Sequence, residues 1–257
     1  MPVICQRHLP FKPWMQDKTR KLPGIQPVRA GEWLLRDEAF AAQMALRDRL
    51  ISTRRAEVFR AGKASHAAQD ELLALVLAAL DAGYEIGEDR VKRPDGVVVP
   101  LSGQPPILTA ARLVQEDLLL LDMSTEPVLN AAVLCFPASW TLAEKFGDGL
   151  VDIHGYVDEY TDEMAARVQR MFAAIRPEQP LWRANFLRYE NADLFQPRKV
   201  GEARPKPVEQ GGFVRVERQT LRKLPLSGAV VFGIHTYVVP WGLLTPFEQQ
   251  EFIGACR

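Results

Sequence analysis

The chain has 257 residues, 47% apolar and 25% charged, with five Trp and twelve Phe, a composition that folds and confines disorder to the ends. Thirty-two basic and thirty-two acidic residues cancel, which excludes a global field drawing the protein to nucleic acid or anionic lipid. Cys5, Cys135 and Cys256 lie far apart without a CxxC pair, the opening MPVICQRHLPFKPW has no apolar core of a signal peptide, and no apolar run approaches the roughly 18 residues of a membrane span. The expected setting is cytoplasmic and reducing.

Residues 1–30 carry Pro2, Pro10, Pro13, Pro23 and Pro27, which forbid a long helix and predict an extended arm. A single α+β domain is expected over 31–257. Apolar residues at Phe40, Met44, Leu46, Leu50 and Val58 predict a helix over Asp37–Arg60. A second helix is predicted over about 67–82, ending at Gly83. In VKRPDGVVVP, at 91–100, Pro94-Asp95-Gly96 between two short strand-like runs reads as a hairpin turn.

A short helix from about 107 to 115 precedes DLLLLDM and VLNAAVLCFP, two apolar runs separated by STEP that read as neighbouring buried strands. Ser139–Phe146 reads as a helix stopped by Gly147, and a loop with His154 leads to another helix over about 160–174. The stretch 191–212, rich in Pro, Gly and charge, reads as a long loop or a lid. The clearest strand pair comes after it: 213–224 and 228–239 flank Pro225-Leu226-Ser227 as a hairpin would. A terminal helix is predicted over about 246–255. Helices and strands do not alternate, which argues against doubly wound and TIM-barrel folds, and no phosphate-binding glycine loop is present.

Classical hydrolase chemistry finds no support, since GxSxG, HExxH and an ordered Cys/His/Asn set are all missing. His8 and His66 lie in polar surroundings. His154, in GLVDIHGYVDEY, sits in a loop of the kind that carries ligands, although an ordinary surface histidine is the commoner outcome. In GAVVFGIHTYVV, alternation places His235 and Tyr237 on one face and Thr236 on the other. The preceding strand puts Arg215, Glu217, Gln219 and Leu221 on one side and Val216, Arg218, Thr220 and Arg222 on the other. A solvated sheet face explains that density of long polar groups as well as a pocket does.

Four stretches together resemble the haem-dependent oxidative N-demethylase family: FPASWTLAEKFGDGLVDIH at 136–154, WRANF with Arg183 and Asn185, RVERQTLRKLP at 215–225, and GAVVFGIHTY at 228–237. They cover about half the chain in the family's order. The resemblance implies a PAS-like antiparallel sheet with an N-terminal helical region, binding haem b and its iron. It also implies oxidation of a small methylated amine by dioxygen to formaldehyde and the shorter amine. Nothing in the chain resembles a flavin, iron–sulfur or nicotinamide site, so electrons would come from a separate reductase subunit.

His154 matches the family's Ile-His motif and is the implied axial iron ligand, with Asp152 or Asp158 fixing its tautomer. Arg218, Arg222 and His235 are implied partners of the haem propionates, Thr236 and Tyr237 further cofactor contacts, and His235 a rival iron ligand. Glu217 would hold the cationic amine, and Arg222 is the second implied catalytic residue. Phe186 stands where the family usually has Trp, and GYVDEY where prolines are common. The rival readings are a haem-binding sensor or storage module on the same fold, and a haem-free homologue acting through protein interactions.

Overall fold

The structure, a computed structural model, describes residues 3–20, 24–124, 126–149, 170–172, 174–202 and 211–255. The proline-rich segment carries only a short helix, α1 (Asp17–Arg20), and a two-residue strand, β1 (Gln26–Pro27). The helix expected over Asp37–Arg60 divides into α2 (Phe40–Thr53) and α3 (Arg55–Val58), and its last residues become strand β2 (Phe59–Ala61). Local chemistry favours that break: the Ser52 and Thr53 hydroxyls both donate to the Arg49 carbonyl, a back-bonding that weakens a helix end. Phe59, Arg60 and Ala61 then pair in register with Val133, Ala132 and Ala131.

Helix α4 (His66–Ala79) matches its apolar pattern. The Pro-Asp-Gly turn joins β4 (Arg90–Lys92) to β5 (Val98–Pro100), and the preceding β3 (Glu85–Ile86) completes a small antiparallel sheet. After α5 (Pro106–Ala111), the two apolar runs form β6 (Asp117–Asp122) and β7 (Val128–Val133), paired with a register shift between Leu120 and Leu121. Helix α6 (Leu142–Lys145) ends at Gly147, whose φ of 87° only glycine adopts without cost. His154 and the helix expected over 160–174 fall outside the described residues, apart from that helix's last turn.

Strand β8 (Leu181–Tyr189) was not expected from the sequence. It leads by an irregular stretch to β9 (Phe213–Lys223) and β10 (Val230–Pro240), the expected hairpin, and α7 (Pro246–Ala255) follows. The large sheet is antiparallel throughout, in the order β1-β8-β9-β10-β6-β7-β2.

Cross-strand partners point to the same face, so the register sorts the side chains into two layers. On one face Leu118, Leu120, Val133 and Val231 pack with Leu50, Leu72, Val76, Ile107 and Leu108 of the helices. Further along it, Val214, Val216, Tyr237 and Val239 meet Trp14 of the N-terminal segment and Phe252 of α7. The opposite face carries a separate apolar group: Leu119, Leu121, Leu221 and Ile234 against Leu142, Phe172 and Ile175. Burial of apolar area at about 25 cal/mol per Å² drives both layers.

Candidate functional site

Three registered pairs fix the chemistry of the second face: Arg183 opposite Gln219, Asn185 opposite Glu217, and Glu217 opposite Thr236. Glu217 is 6% exposed. Its Oε1 accepts from Arg215 Nε at 3.1 Å and its Oε2 from Gln219 Nε2 at 3.1 Å. Arg215 donates in addition to the Leu194 and Phe136 carbonyls, which ties Glu217 to the FPASW segment.

Arg183 is left without such a partner. Its Nε is buried with no acceptor among the described residues, and burial lowers the guanidinium's pKa against the opposing charge of Glu217. Thr236 Oγ1 and Ser139 Oγ are likewise buried and unpartnered. Ser139, within FPASW, has φ 65°, a left-handed conformation that favours glycine and that a bond to the Gln196 carbonyl helps to hold. A crevice too narrow to admit water runs between Ala138, Asn185, Leu187, Arg215 and Glu217. A larger cavity of about 300 Å³ opens among Arg60, Leu134, Leu142, Glu144, Phe195 and Lys199, and it shares Leu134 and Leu142 with the apolar layer of this face.

The first face treats its charges differently. His235 is fully buried, its Nδ1 3.1 Å from Glu116 Oε1 and its Nε2 3.2 Å from Asp37 Oδ2. With an acceptor on each nitrogen the ring is an imidazolium donating twice. Burial opposes that charge, but the hydrogen bonds and charges of Asp37 and Glu116 outweigh it and raise the pKa to about 9. Burial would raise the Asp37 carboxyl as well, yet its bonds with His235, Gln115 and Gln6 hold it at about 2. Gln6 extends the cluster by exchanging bonds with the backbone of Val238.

The residues expected to share one site are therefore divided by the sheet. Glu217 and Thr236 lie on the face with the unpartnered groups. Arg218, Arg222, His235 and Tyr237 lie on the other, as their pairings with Ala184, Val231, Arg218 and Val216 require. Arg218 donates to the Glu32 and Trp33 carbonyls and stacks on Trp182, while Arg222 stacks on Trp33 at 4.1 Å. Tyr237 packs beside His235, ring centroids 4.6 Å apart. His154, Asp152 and Asp158 lie outside the described residues. Arg183, although within a motif, gave no sign of being a buried cation, because its strand was not expected. Asp37 and Glu116 were missed because they lie far from His235 in sequence.

The fold and this arrangement define an α+β protein whose antiparallel sheet sets the His235–Asp37–Glu116 cluster on one face and Glu217, with the unpartnered Arg183 Nε and Thr236 Oγ1, on the other. The chain belongs to the haem-dependent oxidative N-demethylase, alpha subunit-like family, whose model matches residues 24–254. That family is one of alpha subunits, which implies partner subunits, and its name indicates dependence on haem. No curated protein matches the chain. None of the described helices is long and apolar enough to cross a membrane.

Proposed function

We propose that the protein is a PAS-like, haem b-dependent oxidative N-demethylase of the cytoplasm, acting on a small methylated amine with electrons from a separate reductase subunit. The strand order supports the PAS-like part: β6, β7, β8, β9 and β10, counted as first to fifth, lie 2-1-5-4-3 across the sheet. Leu142 and Phe172, which lie between the second and third in sequence, pack on the face that bears Glu217.

The observation that carries the haem reading is Arg183. A half-buried guanidinium with a buried, unpartnered Nε, beside an apolar layer, suits a flat apolar ligand with carboxylates at its rim. A haem propionate would neutralise it. His154, by its place in the Ile-His motif, is proposed as the axial ligand, with Asp152 or Asp158 holding its tautomer. Bound there, haem supplies the oxidation in which dioxygen, two electrons and two protons convert an N-methyl group to N–CH₂OH and release water. Loss of the amine from that carbinolamine yields formaldehyde. Glu217, already polarised by Arg215 and Gln219, would hold the cationic amine with its methyl group toward the apolar layer.

The deciding experiment is an absorption spectrum of the protein with added haem, oxidised and reduced, for wild type, His154→Ala and Arg183→Met. The expected result is a Soret band shifted or lost in the first variant and haem affinity lowered about tenfold or more in the second, the cost of one charge-assisted contact. Formaldehyde release with methylamines and a reductase would complete the case. A Soret band without turnover would leave a sensor or storage protein, and no band in wild type would overturn the reading.

A further inference from the structure

The first face of the sheet holds two more donors without acceptors. Trp33 is 5% exposed, and its indole Nε1 is buried with no protein partner. The half-buried Arg222 lies over that ring at 4.1 Å, and its Nε also lacks a partner. Only burial acts on the Arg222 guanidinium, which lowers its pKa with no acidic group to offset the effect.

We infer that Trp33 and Arg222 form a binding site for a small oxyanion, a carboxylate or a phosphate, on the face of the sheet away from Glu217. A buried donor without an acceptor is unfavourable, so two of them side by side favour whatever supplies acceptors. With the guanidinium carbon 4.1 Å from the indole centre, an oxyanion at the border of the two groups comes within reach of both donors. A guanidinium fork matches the paired oxygens of carboxylate or phosphate. Arg218, stacked on Trp182 in the same layer, adds positive field without giving up its own bonds. Arg183 lies on the opposite face, so this site is separate from the one proposed for haem.

The test is titration of the full chain, with and without haem, with sodium acetate and in a second arm with inorganic phosphate, at constant ionic strength. The indole N–H resonance of Trp33, assigned by its loss in Trp33→Phe, is the readout. A saturable shift with either anion, weakened about tenfold in Arg222→Gln and partly retained in Arg222→Lys, is expected. The arm that saturates at the lower concentration identifies the anion class. A resonance that neither anion moves in wild type, or a shift equal in Arg222→Gln, would overturn the inference whatever the outcome for haem.

Discussion

The two faces of the β9–β10 hairpin carry similar numbers of charged side chains and use them in opposite ways. Around His235 both ring nitrogens meet a carboxylate, leaving Glu116 Oε2 as the one unpartnered oxygen of the cluster's carboxylates, and the cluster joins segments distant in sequence: Gln6 and Asp37 from the N-terminal part, Glu116 at the start of β6, His235 in β10. Around Glu217 the ledger stays open, with Arg183 Nε and Thr236 Oγ1 buried and unpartnered. A closed network rigidifies and specifies a fold. An open one holds desolvated donors at a cost that only a ligand offsets. The same strand pair thus separates the paired cluster around His235 from the open group around Glu217, and charge density in the sequence does not distinguish them.

The comparison is broken most forcefully at its closed side. His235→Leu strands Asp37 and Glu116 in the interior, and removing one partner of a buried ionic cluster costs about 3–5 kcal/mol. Urea denaturation is expected to show that loss, and a variant as stable as wild type would mean that the cluster carries no structural load. Titration should reach the same network more gently. The His235 pKa is raised from 6.5 to about 9, so its contribution is complete below pH 6.5 and is lost as pH rises through about 9. The Asp37 pKa is lowered from 3.8 to about 2, so its contribution is complete above pH 3.8 and is lost as pH falls through about 2. Unfolding free energy measured across this range should fall at both ends, and His235→Leu should flatten the alkaline limb.

A smaller effect is expected at the hairpin's tip. Glu71 of α4 accepts from Leu226 N at 2.6 Å and Ser227 N at 2.8 Å. The turn is therefore fastened to a helix packed on the closed face. Glu71→Ala removes two bonds to a charged acceptor at a partly exposed site, which costs about 1–2 kcal/mol. Hydrogen exchange at the turn amides should rise in that variant while the strand centres stay protected. Uniform loss of protection would place Glu71 in the global fold rather than at its tip.

Much of this architecture is legible in the sequence because local signals and tertiary demands agree. The hairpins around Pro94-Asp95-Gly96 and Pro225-Leu226-Ser227, the apolar strands β6 and β7, and α4 all follow from turn chemistry and periodicity. Strand β8 was hidden because Trp182, Ala184 and Phe186 alternate with Leu181, Arg183, Asn185 and Leu187, so neither face reads as plainly polar. Its strand character comes from pairing with β9 along its whole length. Strand β2 was read as helix because three residues are too few to outweigh the helical spacing before them. Parity in β9 and β10 already separated Glu217 from Arg218 and Arg222 and Thr236 from His235. Which face is closed depends on Asp37 and Glu116, partners that no local pattern connects to His235.

The smallest stability change carries the sharpest distinction. Arg183→Met replaces a half-buried guanidinium with an apolar side chain of similar length beside the apolar layer of Leu181 and Leu221. Were Arg183 a structural cation like those that pair in the closed face, the substitution would destabilise by several kcal/mol. Because its Nε has no partner and Glu217 is held by Arg215 and Gln219, the haem-free protein should be unchanged or gain about 1 kcal/mol in urea denaturation. The same substitution should weaken haem binding. Stability kept while affinity falls is the signature of a group whose partner is a ligand, whereas a parallel loss of both would return Arg183 to the structural side of the comparison.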